Sequence, residues 1–556
     1  MLCWKARIAR ARQSFASRRF YTSPMSTTSH EPESREIRTS RLSDTIVRCD
    51  EKADREISQP KDSKCLSKEH SDPEKIMELS LLTDWENNLV GWDDLQDTEN
   101  PKNWTNMRKQ TIFMIVVVSC FMIPVASTIF APGAKYMAEE FHITSPALKQ
   151  LTISLYVLGF GCGPLLHAPL SELYGRKYVV ACSNLLFVCL NVGCSEATST
   201  VMFMIFRALS GILGCAGMVV GSGTISDIFR QEDIGSATAY FFLGPIAGPV
   251  LGPIVGGFVA QHLGWRWTFR VILLFGAIIT LLHVLLVPET NPAVLLERKA
   301  KKLNKLHHRN DLISIIYSRS KKQAPFHRLC SGIMRATKLL IFSPIVLLFA
   351  IYMSIAYAYL YVFLTTIPTV FSTKYGWSTS LTGLAYIGIG AGTLTAVLLL
   401  GKTNELIVRK LTVKNGGVHK PEFRLRPMIV GSVFLSIGMF WYGWSVQEHA
   451  FWLVVVLSFF CMGFGLLSSL IPIQAYLIDI YGPLGLAASA TAALNFLRCT
   501  AAAFIPLGVP NLIATLDYGW GYSIFGFLGI TVCTTMALLF NKYGSYVREL
   551  FPPREV

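Results

Sequence analysis

GPIAGPVLGPIVGG, residues 244–257, decides how the rest of the chain is read. Glycine recurs at 244, 248, 252 and 256, and proline directly follows the first three. In a water-exposed helix each proline removes a backbone donor and clashes with the preceding turn. In a bilayer, a four-residue glycine spacing lays the glycines along one slowly drifting face that a second backbone can approach. The carbonyls left without donors by Pro245, Pro249 and Pro253 must then face protein or cavity water, not lipid. The stretch is expected to be a kinked helix pressed against a neighbour and close to a pathway. Tight packing alone would also explain the spacing.

Working outward, the chain of 556 residues is 51% hydrophobic, too apolar for an ordinary soluble protein. Twelve apolar runs follow one another at about 110–131, 150–170, 178–195, 201–226, 236–261, 268–287, 342–367, 382–401, 427–445, 451–476, 486–510 and 520–540. Each is long enough to cross a membrane. The charged stretch from Pro288 to about Leu340 divides them six and six, the plan of transporters built from repeated halves. The expected organisation is therefore a tail (1–108), a six-helix bundle (109–288), a central loop (289–341), a second bundle (342–540) and a tail (541–556). Residues 1–108 are polar, Ser-rich and without a sustained apolar face, as in disordered segments.

A net charge of +15 could suggest nucleic acid, but its distribution argues otherwise. Lys and Arg concentrate in the tails and in alternate loops: Arg176, Lys177 and Arg230, the run from Arg298 to Lys322, Lys402 to Arg426, then Lys542 and Arg548. The opposite loops hold only Lys135, Lys149, Arg266 and Lys374. This asymmetry puts both termini in the cytoplasm. Thirteen cysteines show no metal or disulfide spacing, and most serve as small apolar fillers. The first thirty residues are basic and free of acid, like a mitochondrial transit peptide. A translation start at Met25 is the preferred explanation, because the remainder reads as a cell-surface transporter.

Several stretches carry a more specific likeness. Gly248, Gly252, Pro253, Gly256 and Gly257 fit the G-x-x-x-G-P-x-x-G-G pattern of major facilitator superfamily antiporters. APLSELYGRK, residues 168–177, resembles that superfamily's loop G-x-L-a-D-r-x-G-r-k, with Glu172 in place of its Asp, Ala168 of its first Gly and Leu173 of its first basic residue. Arg207 to Gly211 matches R-x-x-x-G. DTENPKNW (97–104), WRWTF (265–269), Pro288-Glu289-Thr290, GLAY (383–386), PEFRL (421–425) and AASATAALNFLR (487–498) all look like pieces of the fungal twelve-span drug:proton antiporters. The resemblance covers about residues 90–550. It implies an all-α integral membrane protein with two six-helix bundles, exporting drugs, polyamines or secondary metabolites.

Individual residues follow from the frame. Between spans two and three, Gly175 suits a tight turn. Glu172 can accept charge-assisted bonds from Arg176 or from a basic group across the bundle interface, forming a latch with Lys177 beside it. Arg207 lies roughly 10 Å inside its span at 1.5 Å per residue, where a charge marks function by default. A side chain snorkelling to the outer interface is the alternative, and the R-x-x-x-G resemblance favours function. Arg498, with Asn495 nearly one turn before it, is near mid-membrane. Aromatic residues suit planar cargo: Phe130, Tyr156, Tyr357, Tyr359, Tyr361 and Phe496 are candidates for the pathway. Asp227 and Arg230 are expected to cap and pair locally. No Asp or Glu falls inside the runs as drawn, so the proton-coupling candidates are Glu172, Asp227, His167 and His283.

No phosphate loop, metal cluster or nucleophile elbow points to an enzyme. The expectation is a plasma-membrane exporter of small amphipathic organic molecules, a monomer driven by the proton gradient without a cofactor. The alternatives are a polyamine exporter, an uptake permease, or a non-transporting sensor.

Overall fold

The computed structural model describes Thr83, Trp85 and residues 88–308, 311–316, 325–482, 484 and 486–552. The basic N-terminus, Met25 and Lys321 to Lys322 lie outside the described residues. Among those described, eleven helical stretches are long and apolar enough to cross a membrane. The last, Ala487–Leu550, has 64 residues, about 96 Å at 1.5 Å per residue and three times a bilayer core. Asp517 breaks it with φ 55° and ψ −179°, so the chain turns there and crosses again. The helical frame is thus twelve spans.

Within those stretches the spanning helices are α1 Asn106–Thr128, α2 Pro146–Tyr174 and α3 Arg176–Ser195. Next come α4 (Thr200–Gly214 continued by Ala216–Ile228), α5 Gln231–His262 and α6 Trp265–Leu286. The second half holds α7 Pro344–Lys374, α8 Ile387–Lys414, α9 Arg426–Gln447 and α10 Trp452–Tyr481. It ends with α11, formed by Ala487–Phe504, the short turn Ile505–Gly508 and residues 509–516, and α12, formed by residues 518–528, Gly529–Thr534 and Thr535–Leu550. Local chemistry sets several starts. Ser145, Ser199 and Ser343 each accept a backbone N–H in the first turn, and Pro146 and Pro344 occupy positions where no donor is needed. Leu185, Leu186, Val201, Leu285 and Leu398 point outward, as a lipid-facing surface requires.

The central stretch, expected as a loop, carries two helices, Pro292–Leu306 and Pro325–Phe342. Asn291 caps the first and Pro292 opens it. The tail also has order beyond what its polarity suggests. Strand β1 (Leu89–Val90) pairs in parallel with β2 (Ile313–Ser314), and Val90 packs with Ala300 and Leu312. Lys299 reaches Asp93 at 2.9 Å and Asp97 at 3.1 Å. Burial alone would raise the Asp97 carboxyl, yet backbone donors from Glu99 and Asp93 and the Lys299 ammonium hold it below its usual value. Few side chains do this, so composition hid it. At the other end of the chain, the helix runs on to Leu550, past the expected boundary at 540.

The two halves meet along two seams. On one, α2 lies against α11, and a Cβ at Gly161 would sit 2.6 Å from Cys499 Cβ. On the other, α5 meets α8 and the short helix Thr379–Leu384 before it. A Cβ at Gly257 would lie 2.7 Å from Thr379 O, and one at Gly390 would lie 2.7 Å from Val250. At the end away from the termini, Tyr136 and Thr379 hydroxyls bond at 2.9 Å, and Ser380 N–H donates to Gln261 at 2.8 Å.

Candidate functional site

α5 is one continuous helix despite Pro245, Pro249 and Pro253. Its glycine face meets α1. Cβ atoms built at the glycines would crowd Phe121 backbone (Gly244, 3.1 Å) and collide with Pro124 (Gly248), Thr128 Oγ1 (Gly252) and the Ile129 carbonyl (Gly256). Thr128 donates to Pro124 O at 2.9 Å and approaches Gly248 O at 3.3 Å, so its hydroxyl serves polar backbone at this contact. Pro245 and Pro249 line a cavity between the halves.

That cavity holds about 420 Å³. Its wall takes Ser127 and Thr128 from α1, Tyr156 and Phe160 from α2, Tyr357, Leu360 and Tyr361 from α7, Gln474 from α10 and Arg498 from α11. It extends to Thr238, near the start of α5, and to Ile478, near the end of α10, so it reaches toward the end bearing the termini. Ser127 and Tyr361 hydroxyls bond at 2.8 Å across the halves. Among the described residues, Arg498 is the single charged one in this wall, and it is 3% exposed. Its Nε and Nη1 have no hydrogen-bond partner in the protein, and the guanidinium lies 4.6 Å from the centre of the Tyr357 ring.

The other expected pathway residues are placed differently. Arg207 is also buried, at 1% exposure, but it stands behind the wall. It donates to Ala126 O at 3.1 Å and Ser127 O at 3.4 Å. Tyr156, Phe269 and Phe130 surround it at 4.8, 5.4 and 5.6 Å. Tyr359 is turned into the second bundle, where its hydroxyl donates to Phe525 O. Phe130 sits in an aromatic cluster with Phe203, Trp265 and Phe269. Neither Asn495 nor Phe496 is in the wall, and the carbonyls of both face Gly161. Periodicity could not separate these cases, because a helix buried on all sides, as α7 largely is, presents no distinguishable pathway face.

At the end bearing the termini, the latch is built around Arg176 but without Glu172. Arg176 Nε donates to Asp227 at 3.2 Å and Nη1 to Ser171 at 2.7 Å. Asp227 also accepts from Thr290, at 3.3 Å. Its expected local pairing with Arg230 is replaced by this longer-range one, because α3 and α4 lie side by side. Glu172 is exposed and lines a second cavity, of about 340 Å³, between α2, α11 and the helix Pro325–Phe342. Lys177 is half-buried beside the loop.

Glu289 was not foreseen as a site residue. One of its oxygens accepts three backbone N–H groups, from Arg176 at 2.8 Å and from Thr290 and Asn291 at 3.0 Å each. The only signal in the chain was the short Pro288-Glu289-Thr290 likeness. The second half carries ion pairs at the same end, Arg424 with Asp479 at 2.6 Å and Arg548 with Glu422 at 2.8 Å. Both histidines lie away from the main cavity. His167 contacts Gly163 O at 2.9 Å and Ser183 Oγ at 3.0 Å, and so is a bridge between α2 and α3. His283 is buried in α6.

Comparison with known proteins agrees with this architecture. The profile of the Major Facilitator Superfamily matches residues 116–506. The MFS-type transporter penM of Penicillium rubens is 38% identical over 461 residues, covering 83% of this chain and 89% of that one. The MFS transporter fsa7 of a Fusarium species is 40% identical over 464 residues, covering 84% and 90%. Among solved structures, the xylose transporter XylE from E. coli superposes with a TM-score of 0.56 at 18% identity, over 79% of this chain and 98% of that one. This likeness is one of fold alone. With twelve spans in two bundles, a cavity between them and a superfamily profile over most of its length, the chain belongs to the major facilitator superfamily of membrane transporters.

Proposed function

We propose that the protein exports small amphipathic organic molecules, such as drugs, toxins or secondary metabolites, across the plasma membrane by alternating access. The observation that carries this is the cavity itself. It lies between two halves bridged at one end, reaches toward the basic end, and has an aromatic and aliphatic wall with few polar groups. With the basic end in the cytoplasm, this geometry receives cargo from inside. Exchange for protons is supported by the glycine-proline pattern of α5 that resembles antiporters. Among the described residues no carboxylate lines the cavity, so a proton would bind elsewhere, and Asp227 beside Arg176 is the leading candidate.

A polyamine exporter is disfavoured, because several ammonium groups would lose water with no carboxylate to receive them. The test is transport into inside-out vesicles from a strain lacking other efflux pumps, with an imposed pH gradient. Labelled spermidine is measured beside a panel of hydrophobic toxins. Saturable toxin accumulation that collapses with the gradient is expected. Spermidine flux without toxin flux would overturn this reading. Orientation has its own test. A cysteine placed at Lys321 should stay unlabelled by impermeant maleimide in intact cells and react after permeabilisation, and labelling from outside would reverse the topology.

A further inference from the structure

We infer that Arg498 is a seat for a single negative charge, so that the cargo is an amphipathic carboxylate. This rests on the exporter reading above and narrows it.

Three observations lead there. Among the described residues, Arg498 is the only charged one in the cavity wall, it is 3% exposed, and its Nε and Nη1 find no acceptor. A guanidinium with two unpaired nitrogens keeps donors to spare, and a carboxylate matches its planar fork with two parallel hydrogen bonds. The charge behind the wall has the same sign. Arg207 is held by two backbone carbonyls and three aromatic rings, with no ion pair to a carboxylate among the described residues. Two buried cations without a facing acid give the cavity a positive potential, which concentrates anions and repels amines.

The surroundings fit the rest of such a molecule. Tyr357, stacked on the guanidinium at 4.6 Å, restrains its plane. Leu360, Leu466 and Leu470 offer apolar wall for a hydrocarbon or ring body. Gln474 and the Ser127–Tyr361 pair supply neutral polar contacts.

Position adds a consequence for the transport cycle. Arg498 immediately precedes Cys499, whose Cβ lies at the seam with Gly161, so the charge sits where the halves close on each other. Closing with the Nε and Nη1 donors unpaired would keep an uncompensated charge buried, whereas closing around an ion pair would not. The loaded carrier therefore occludes more readily than the empty one.

The experiment uses the full chain, purified and reconstituted, with three probes of one skeleton at pH 7.4: 4-(biphenyl-4-yl)butyrate, its primary amide and the corresponding amine. The acid is ionised there, the amide neutral and the amine cationic. Wild type is expected to move the acid about ten- to a hundredfold more efficiently than the amide, the range of one charge-assisted bidentate contact, and the amine least. Arg498→Gln should erase the preference of acid over amide, and Arg498→Lys should retain part of it. Heat stabilisation of the detergent-solubilised protein by each probe reads binding without transport, and checks that the variants are folded. Amide moved as well as the acid by wild type, or an unchanged ratio in folded Arg498→Gln, would overturn the anion seat and leave the exporter standing. No flux of any probe or of the toxin panel, with no stabilisation, would overturn both.

Discussion

Gly252→Leu is expected to yield a protein that inserts into the membrane at near-normal levels and transports at least about a hundredfold less. The cause is steric. A Cβ at this position would run into Thr128 Oγ1, and would lie 3.1 Å from Val125 O and 3.2 Å from Ile129 N. Two of the three neighbours are backbone of α1 and cannot rotate away, and the third is tied to Pro124 O and Gly248 O. Overpacking by one side chain costs about 1–3 kcal/mol in a tight core, and here it separates two helices that carry cavity wall. Leucine at Val255, which faces outward, is the matched control and should be silent. Gly252→Ala should give an intermediate loss, partly restored by adding Thr128→Ala, since the two positions share one contact. Transport by Gly252→Leu within a few-fold of wild type would show that the glycine face is not a working contact.

The second large effect lies at the turn between α2 and α3. Gly175 has φ 98° and ψ 161°, a region open in practice only to glycine and costing other residues about 1–3 kcal/mol. A Cβ there would also collide with the Glu289 carboxylate, whose Cδ would be 2.6 Å away. Gly175→Ala should therefore lose on both counts, with the thermal midpoint of the detergent-solubilised protein falling by roughly 5 °C or more. Glu289→Ala should match it, because it strands the buried N–H groups of Arg176, Thr290 and Asn291, at about 1–3 kcal/mol for each donor left unmade. Glu289→Gln keeps an oxygen where the three donors point and should recover most of the loss. A glutamine variant as unstable as the alanine one would mean that charge, not acceptance of these bonds, is what the turn requires. An unaffected Gly175→Ala would remove the turn from any account of the latch.

Glu289 also shows where the chain's own text stops. One of its three hydrogen bonds reaches back 113 residues to Arg176, and no local pattern records such a pairing. Asp227 is a similar case. At the end of an apolar run it reads as a cap beside Arg230, but adjacent packing of α3 and α4 delivers Arg176 instead.

What the sequence determined by itself was everything governed by the bilayer as solvent. Apolar run length sets the number of spans, the long charged stretch divides them into halves, basic residues mark one end, and the four-residue glycine spacing marks the helix that needs a close neighbour. These follow from properties summed along a segment, so no partner has to be known. Tertiary structure alone decided which polar residue meets the cavity. Arg207 and Arg498 are equivalent to any local reading, each a lone cation deep in an apolar helix. Only the packing of α4 against α1 gives the first its carbonyl partners, while the seam between α2 and α11 leaves the second in the cavity wall with Nε and Nη1 unpaired. Which neighbour satisfies a buried charge depends on contacts between residues far apart in the chain, and those exist only once the helices have packed.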